Sequence, residues 1–90
     1  MAKVKLITYD LKKPGQDYSE LYEVIKKYDD WWHCMNNIWL VKTSESCGDI
    51  ADKLLNCIDS NDKLLVTELS GKWACYIKSK ECTDWLHKNL

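Results

Sequence analysis

The amino-acid sequence predicts an α+β fold in which helices cover one face of an antiparallel sheet. Ninety residues leave room for a single small domain over residues 1–90. Apolar residues alternate with polar ones in some segments and recur every three to four residues in others, which are the patterns of strands and amphipathic helices. The chain is 46% hydrophobic and 30% charged with only one Pro, and this composition excludes a disordered or collagen-like protein.

The first two predicted elements are a strand and a helix. Residues 3–9 alternate in side-chain character and are typical of a strand, and a loop follows over 10–16. Asp17 and Glu20 have the spacing of a capping box, which favours the start of a helix. The apolar face of that helix consists of Leu21, Val24, Ile25 and Tyr28.

A hairpin and a second helix follow. Two runs rich in aromatic and β-branched residues, 31–35 and 38–43, flank Asn36-Asn37, and this arrangement predicts a hairpin with a two-residue turn. Ser46 precedes the second helix. Its predicted apolar face consists of Ile50, Leu54, Cys57 and Ile58.

The remaining elements complete the domain. The sequence Asp59-Ser60-Asn61-Asp62 is typical of a turn, and Lys63 to Leu69 predicts a fourth strand. Residues 73–77 are compatible with either a short fifth strand or an ordered loop. Lys80 to Leu90 predicts a closing helix.

The order βαββαβ with a tail helix predicts a ferredoxin-like sandwich, which is an antiparallel four-stranded sheet with helices on one face, plus a C-terminal helix. Right-handed crossovers place the first and third strands in the centre, and we expect these strands to run parallel. Their carboxyl ends would then meet at one edge of the sheet. This expectation places Tyr9 and Asp10 beside Thr43 and Ser44.

The second face of the sheet predicts an interface. Each strand carries large apolar residues on both sides, for example Val4 and Ile7 in the first strand and Trp39 and Leu40 in the third. A monomer would leave part of this apolar surface in water, and such patches usually mark interaction sites. We expect a homodimer through this face or an edge strand, with the tail helix over part of the face.

The charge balance argues against a strongly basic nucleic-acid-binding protein. The chain has thirteen Lys, no Arg and fourteen acidic residues, which gives a net charge of −1, whereas nucleic-acid-binding proteins normally have an excess of positive charge. Any phosphate contact would need Lys, backbone N–H groups or a metal ion.

The cysteines and the lack of targeting signals predict a cytoplasmic chain with reduced thiols. Five Cys is an odd number, and no two have C-x-x-C spacing. No apolar run approaches the ~20 residues that span a bilayer, and no signal peptide begins the sequence, so no membrane association is expected. Cys57 is expected to pack as a small apolar residue.

Two segments are candidates for binding phosphate or metal. Asp10 is a carboxylate at a strand end, a position suited to Mg²⁺-dependent phosphodiester hydrolysis, although one Asp per chain is too few unless a dimer supplies a second. The alternative is an Asp that simply ends a strand. Lys12, Lys13 and Gly15 precede a helix N-terminus, which favours anions; the alternative there is a solvated loop.

The aromatic residues predict a stacking site. Nucleobases stack on Trp and Tyr rings, and we expect Tyr9 or Trp73 to be available for a ligand while the other rings fill the core in place of the absent Phe. Thr43 and Ser44 complete the predicted ligand-binding set. His33 is expected to be hydrogen-bonded rather than catalytic, because no second His or carboxylate at ligand spacing accompanies it. His33 and Cys34 are not expected to form a catalytic pair, because neighbours in a strand point to opposite faces of the sheet.

Six short motifs together resemble a family of small bacterial and phage proteins described as SinR-like. These motifs run from the first strand almost to the tail helix. They are Ile7–Leu11, Lys13–Tyr18, Trp31–His33, Trp39–Thr43, Asp59–Leu64 and Trp73–Ala74.

The SinR-like family in turn resembles the Cas-two subunit of CRISPR adaptation, which implies a ferredoxin-like dimer. In that relative, an Asp at the end of the first strand is assigned to metal-dependent nuclease chemistry, and Asp10 matches it by position. We expect a non-catalytic dimer that binds a nucleotide or a nucleic-acid segment without a cofactor, and that in a phage would sequester a nucleotide signal of host defence. The alternatives are a Mg²⁺-dependent nuclease using Asp10 and a protein–protein adaptor.

Overall fold

The computed structural model describes residues 2–12 and 18–90, and these form an α+β fold with a four-stranded antiparallel sheet and three helices. Of the two alternatives for residues 73–77, the loop is correct, because this segment is not a strand. The strands are β1 (Lys3–Asp10), β2 (Trp31–Met35), β3 (Ile38–Thr43) and β4 (Lys63–Glu68), and the helices are α1 (Ser19–Lys26), α2 (Cys47–Leu55) and α3 (Lys80–Asn89).

The sheet has the strand order β2-β3-β1-β4, and every neighbouring pair is antiparallel. β1 and β3 are the central strands, as predicted, but the expectation that they run parallel is wrong. The two-residue turn at 36–37 reverses the chain between β2 and β3, so β3 meets β1 in the opposite direction. Lys3 therefore lies opposite Thr43, and Asp10 lies opposite Lys63 on β4.

Helices α1 and α2 cover one face of the sheet and form the main core. Odd-numbered residues of β1 and β3 point into it, because successive side chains of a strand alternate between faces. Burying each large apolar side chain contributes about 1.5–3 kcal/mol. The buried members of this core are Ile7, Tyr9, Leu21, Ile25, Trp39, Val41, Ile50 and Leu54.

Helix α3 packs on the opposite face of the sheet and forms a second, smaller core. Leu86 of α3 contacts the buried side chains Val4, Trp32 and Leu40. The indole Nε1 of Trp32 donates a hydrogen bond to the carbonyl oxygen of Cys82 at 3.0 Å. The prediction that the tail helix covers part of the second face is confirmed.

Helices α2 and α3 begin at serines whose hydroxyl groups satisfy a free backbone N–H, whereas α1 has no side-chain cap. The Ser46 hydroxyl accepts a hydrogen bond from the Asp49 N–H at 3.1 Å, and Ser79 does the same for α3. At α1 the capping position is Tyr18, whose hydroxyl hydrogen-bonds the Asp62 carboxylate at 3.0 Å. The predicted cap, Asp17, lies outside the described residues.

Within the described part of the chain, no helix is long and apolar enough to cross a membrane.

The cysteines are not all reduced. Cys34 of β2 and Cys82 of α3 form a disulfide, with Cα atoms 6.3 Å apart and 48 positions between them in the sequence. The prediction of five free thiols is wrong for this pair, because sequence spacing does not show which residues the packing of α3 on β2 brings together. Cys57 packs against the main core as a small apolar residue, as expected.

Candidate functional site

The predicted site residues lie at opposite ends of the sheet. Tyr9 and Asp10 are at the carboxyl end of β1, whereas Thr43 and Ser44 are at the other end, beside the start of β1. The expectation that these four residues lie together is wrong, because it depended on parallel central strands. We call the two regions the Asp10 end and the Trp73 end, since Trp73 lies near the start of β1.

At the Asp10 end, the carboxylate of Asp10 is exposed and already paired. Its Oδ2 lies 2.8 Å from the Nζ of Lys12, and this hydrogen bond and charge hold the pKa of Asp10 below its ordinary value. The backbone N–H of Lys12 is bound by the Asp62 carboxylate at 2.8 Å. Lys13 and Gly15, the other members of the predicted anion site, lie outside the described residues.

Tyr9 belongs to the core rather than to an open surface. Its hydroxyl accepts a hydrogen bond from the Trp39 indole at 2.9 Å, and burial raises the pKa of Tyr9. The nearby depression, lined by Tyr9, Asp10 and Lys63 among others, measures about 200 Å³. Across residues 2–12 and 18–90, no group of three or more His, Cys, Asp or Glu side chains is arranged to hold a metal ion. Asp10 is therefore not part of a metal-binding cluster within the described chain.

At the Trp73 end, a cavity of about 280 Å³ lies between the start of β1, the segment after β4 and the end of α3. Trp73 lines it, with its ring centroid 5.1 Å from that of His87. Gly71 has a φ of +89°, a left-handed conformation that favours glycine and that turns the chain from β4 toward Trp73. The cavity therefore combines an aromatic ring with backbone from three segments.

A second cavity adjoins the first. It measures about 320 Å³ and is lined by Lys42, Thr43 and Ser44 together with the loop after α1. Ala2 lines both cavities, so the two share a boundary at the start of β1. The structure thus brings Trp73 to the same end of the sheet as Thr43 and Ser44, three of the seven residues predicted to bind ligand.

Positive charge is concentrated at the Trp73 end. Lys3 and Lys72 line the first cavity, and Lys27 and Lys42 line the second. Of the described residues that line the two cavities, Asp29 alone carries a side-chain carboxylate. The described residues that line the two cavities therefore carry four lysine side chains and one side-chain carboxylate, with the Glu68 carboxylate 3.7 Å from Lys3, and this excess of positive charge favours an anionic ligand.

The four lysines differ in whether they form ion pairs. Lys3 lies 3.7 Å from the Glu68 carboxylate, a weak surface pair. Lys27, Lys42 and Lys72 form no ion pair with the residues described. Their ammonium groups are therefore available to a ligand.

Lys5 is a buried side chain that stabilises the Trp73 end of the sheet. It is 4% exposed, and its Nζ donates a hydrogen bond to the Thr43 carbonyl oxygen at 2.8 Å and lies 3.7 Å from Glu68. A buried ammonium group is costly unless it is paired, so these contacts fix the end of β3 relative to β1. Lys5 is thus a positioning residue for Thr43.

Asn89 adds a polar group to the first cavity. Its Nδ2 donates a hydrogen bond to the Trp85 carbonyl oxygen at 3.0 Å, while its Oδ1 is buried and accepts no hydrogen bond from the residues described. Buried acceptors are normally satisfied, so the hydrogen-bonding capacity of Asn89 is only partly used within the described residues.

The four lysines of the site, Lys3, Lys27, Lys42 and Lys72, and Asn89 were not among the residues predicted to bind ligand. Lys42 lies inside the Trp39–Thr43 motif, but the others belong to no motif and come from separate segments. The sequence contained one weak indication of a charged site at this end. Lys3 and Lys5 occupy alternate positions at the start of a strand, on the side where the later residues are apolar. The predicted hydrogen bond of His33 is present, since its Nε2 lies 3.0 Å from the Asn36 carbonyl oxygen, and its ring stacks on Trp39.

Comparison of the chain with protein-family models, with curated proteins and with solved structures found no match.

Proposed function

We propose that this protein is a non-catalytic binding protein for a nucleotide or a short nucleic-acid segment, which it holds at the Trp73 end of the sheet. The observation that carries the proposal is the pair of adjoining cavities that combine an exposed Trp73 ring with four lysines. A nucleotide has an aromatic base and an anionic phosphate, and this surface offers a partner for each.

Recognition would divide between the two cavities. The base stacks on Trp73, and Asn89, whose hydrogen-bonding capacity is only partly used within the described residues, lines the same cavity. Lys72 and Lys3 neutralise phosphate beside the ring, while Lys42 and the hydroxyl groups of the second cavity serve a further phosphate or a neighbouring nucleotide. Each cavity is close to the lower limit of about 300 Å³ for small-molecule sites, so the first holds about one nucleotide.

We also propose a ferredoxin-like fold with SinR-like and Cas-two-like kinship. The strand order, the direct β2–β3 hairpin and the packing of α1 and α2 on one face support this arrangement. The motifs from Ile7–Leu11 to Trp73–Ala74 are the basis for the kinship. In a phage, a protein of this kind would sequester a nucleotide signal of host defence.

A homodimer is part of the proposal. β4 is an edge strand, and Leu65 on it is 58% exposed. Tyr76, in the segment after β4, is 86% exposed, and Met35 is also largely exposed. An unpaired strand edge with an exposed apolar residue is a template for pairing with another chain, so a second copy bound along β4 would bury Leu65, whereas Met35 lies on β2 at the opposite edge of the sheet.

Calorimetry with single mononucleotides, cyclic dinucleotides and a short single-stranded oligonucleotide tests the binding proposal. Trp73→Leu removes the stacking surface, and we expect a loss of about 5–150-fold in affinity, which corresponds to the ~1–3 kcal/mol of one stacked base. Lys72→Gln should weaken binding and reduce its dependence on salt.

Lys12→Gln is the matched control, because it removes one lysine from the opposite end of the sheet. It should leave affinity unchanged. The proposal is wrong if none of the probes binds, or if Lys12→Gln weakens binding while Trp73→Leu and Lys72→Gln do not.

The metal-dependent nuclease remains the second candidate, because Asp10 is the last residue of β1 and its side chain is exposed. That candidate needs a second carboxylate from a partner chain. The adaptor is the third candidate, supported by the exposed apolar residues along β4 and after it. Pull-down of a stoichiometric protein partner, without nucleotide binding, would favour the adaptor.

A further inference from the structure

The disulfide between Cys34 and Cys82 is placed to control one wall of the proposed binding cavity. It joins β2 to the first turn of α3, and the last residue of the same helix, Asn89, lines the first cavity. Trp73, which also lines that cavity, has its ring centroid 5.1 Å from that of His87 of α3. The contacts that hold α3 on the sheet therefore also hold this part of the cavity wall in place.

The non-covalent attachment of α3 is small. The helix has ten residues, and Leu86 is the only one of them that is buried. A helix of this length is marginal in water without packing partners. Two indole hydrogen bonds add to the attachment, from Trp32 to the Cys82 carbonyl oxygen at 3.0 Å and from Trp85 to the Asp30 carboxylate at 2.6 Å. Trp85 and Cys82 also pack, half-buried, against the cluster that contains Leu86. The disulfide adds a covalent link to this attachment at the first turn of the helix.

The disulfide is also accessible from the surface. Both cysteines line a cavity of about 420 Å³, and each is only half-buried. A β-bulge between Trp32 and Met35 inserts one extra residue into β2 at the position of Cys34. Such bulges change the direction in which nearby side chains point. The remaining walls of the cavity are mostly aromatic, and one carboxylate, that of Glu81, also lines it.

We propose that the Cys34–Cys82 disulfide is a redox-active site that exchanges with a dithiol reductant and thereby sets the docking of α3 and the shape of the Trp73 cavity. A thiolate of the reductant attacks one sulfur of the disulfide, and the other sulfur leaves as a thiolate. The second thiol of the reductant then attacks the mixed disulfide. The protein disulfide gains two electrons and two protons and becomes two thiols, and the reductant is oxidised to its own disulfide.

In the oxidised form, α3 is held on the second sheet face and the cavity is complete. In the reduced form, the first turn of α3 separates from β2, and Asn89 and His87 lose their fixed positions. The irregular chain from Ser70 to Ser79 permits this movement, since the structure shows no helix or strand there. This inference rests on the proposed function where it concerns nucleotide affinity, but the movement of α3 does not depend on it.

The test uses the full chain equilibrated in oxidised and in reduced dithiothreitol. Alkylation and intact mass should count three free thiols in the oxidised form, Cys47, Cys57 and Cys75, and five in the reduced form. Hydrogen exchange of the α3 amides should accelerate about tenfold or more on reduction, while amides of β1 and β3 keep their protection. Reoxidation should reverse both changes.

Matched variants separate the disulfide from other cysteine effects. Cys82→Ser should exchange rapidly in α3 under both conditions, whereas Cys75→Ser, which removes an exposed free thiol, should behave like the unmodified chain. For a mononucleotide that binds the oxidised form, reduction should lower affinity about fivefold or more, a typical coupling between sites.

Equal protection of α3 in the two redox states would overturn the proposal, as would five free thiols under oxidising conditions. Faster exchange in α3 with unchanged nucleotide affinity would overturn its link to the cavity. A redox response of α3 with no nucleotide bound in either state would support the disulfide switch and contradict the proposed function, so the two failures are distinguishable.

Discussion

At the scale of single residues, chemistry depends on whether a charged group is paired or available. Asp10 is paired with Lys12 at 2.8 Å, whereas Lys42 and Lys72 have no ion-pair partner among the described residues. Residue type and sequence position made Asp10 the stronger candidate, because it ends a strand. In the structure Asp10 is already paired, and the lysines of the Trp73 end are better placed to bind an anion.

Asp10→Asn tests the nuclease alternative. The exposed ion pair with Lys12 contributes little stability, so the melting temperature should stay within experimental error of the unmodified chain. If nucleotide binding is the function, affinity at the Trp73 end is also unchanged. Loss of a Mg²⁺-dependent cleavage activity in Asp10→Asn, measured on single- and double-stranded DNA and RNA, would instead favour the nuclease.

Glu45 predicts a pH-dependent contribution to stability. The Lys53 ammonium at 2.7 Å, and then the Tyr28 hydroxyl at 2.9 Å, hold the pKa of Glu45 below its ordinary value of 4.5. A carboxyl with a lowered pKa stabilises the fold above that ordinary value, and the contribution is lost as the pH falls through the folded-state pKa.

We therefore expect Glu45→Gln to lower the free energy of unfolding at pH 7 by at most about 1 kcal/mol, given the exposure of the pair. The difference from the unmodified chain should shrink toward pH 3. Urea denaturation at several pH values measures this. A difference that grows on acidification would contradict the assigned ion pair. Lys80→Gln is a control, because Lys80 pairs with Asp84 on α3, away from Glu45.

At the scale of elements, local signals located the helices and strands because each signal acts within a few residues. Ser46 caps α2 through its own side chain, and the Asn36-Asn37 turn closes the hairpin by its backbone preference. The pairing direction of β1 with β3 was predicted wrongly, since it depends on elements far apart in the sequence.

Ser46→Ala should destabilise the protein by about 0.5–2 kcal/mol, because it leaves the Asp49 N–H without its cap. Ser60→Ala, in the exposed turn before β4, is the control and should change stability by less than ~0.5 kcal/mol. Thermal or urea unfolding of the two variants measures the difference. Equal effects would show that the cap does not hold α2.

At the scale of the whole molecule, the two faces of the sheet have different coverage. Helices α1 and α2 bury the first face completely enough that several of its side chains have no exposed surface. The short helix α3 covers the second face only in part and leaves Leu65 exposed on the edge strand. Incomplete coverage of a sheet beside an unpaired edge favours association with a second copy.

Sedimentation at increasing concentration should therefore show a dimer, and Leu65→Lys should shift the equilibrium toward the monomer. A charge on an edge strand opposes pairing with another chain. Lys63→Gln, on the same strand, is the control and should leave the dimer intact. A single monomeric species at high micromolar concentration would contradict the proposed homodimer.

The sequence by itself determined the seven elements, the hairpin and the central position of β1 and β3. These follow from periodicity, turn residues and apolar content, which act locally or through composition. It also identified Trp73 as a candidate ligand contact.

Only the tertiary structure decided which residues share a site. Antiparallel pairing of β1 and β3 separates Asp10 from Thr43 and instead brings the start of β1, the end of β3 and the segment after β4 to one end of the sheet. Packing of α3 then places Asn89 at that end and joins Cys34 to Cys82. The physical reason is that these contacts join segments about 40 or more positions apart, where strand direction and helix packing, rather than local preference, fix which side chains meet.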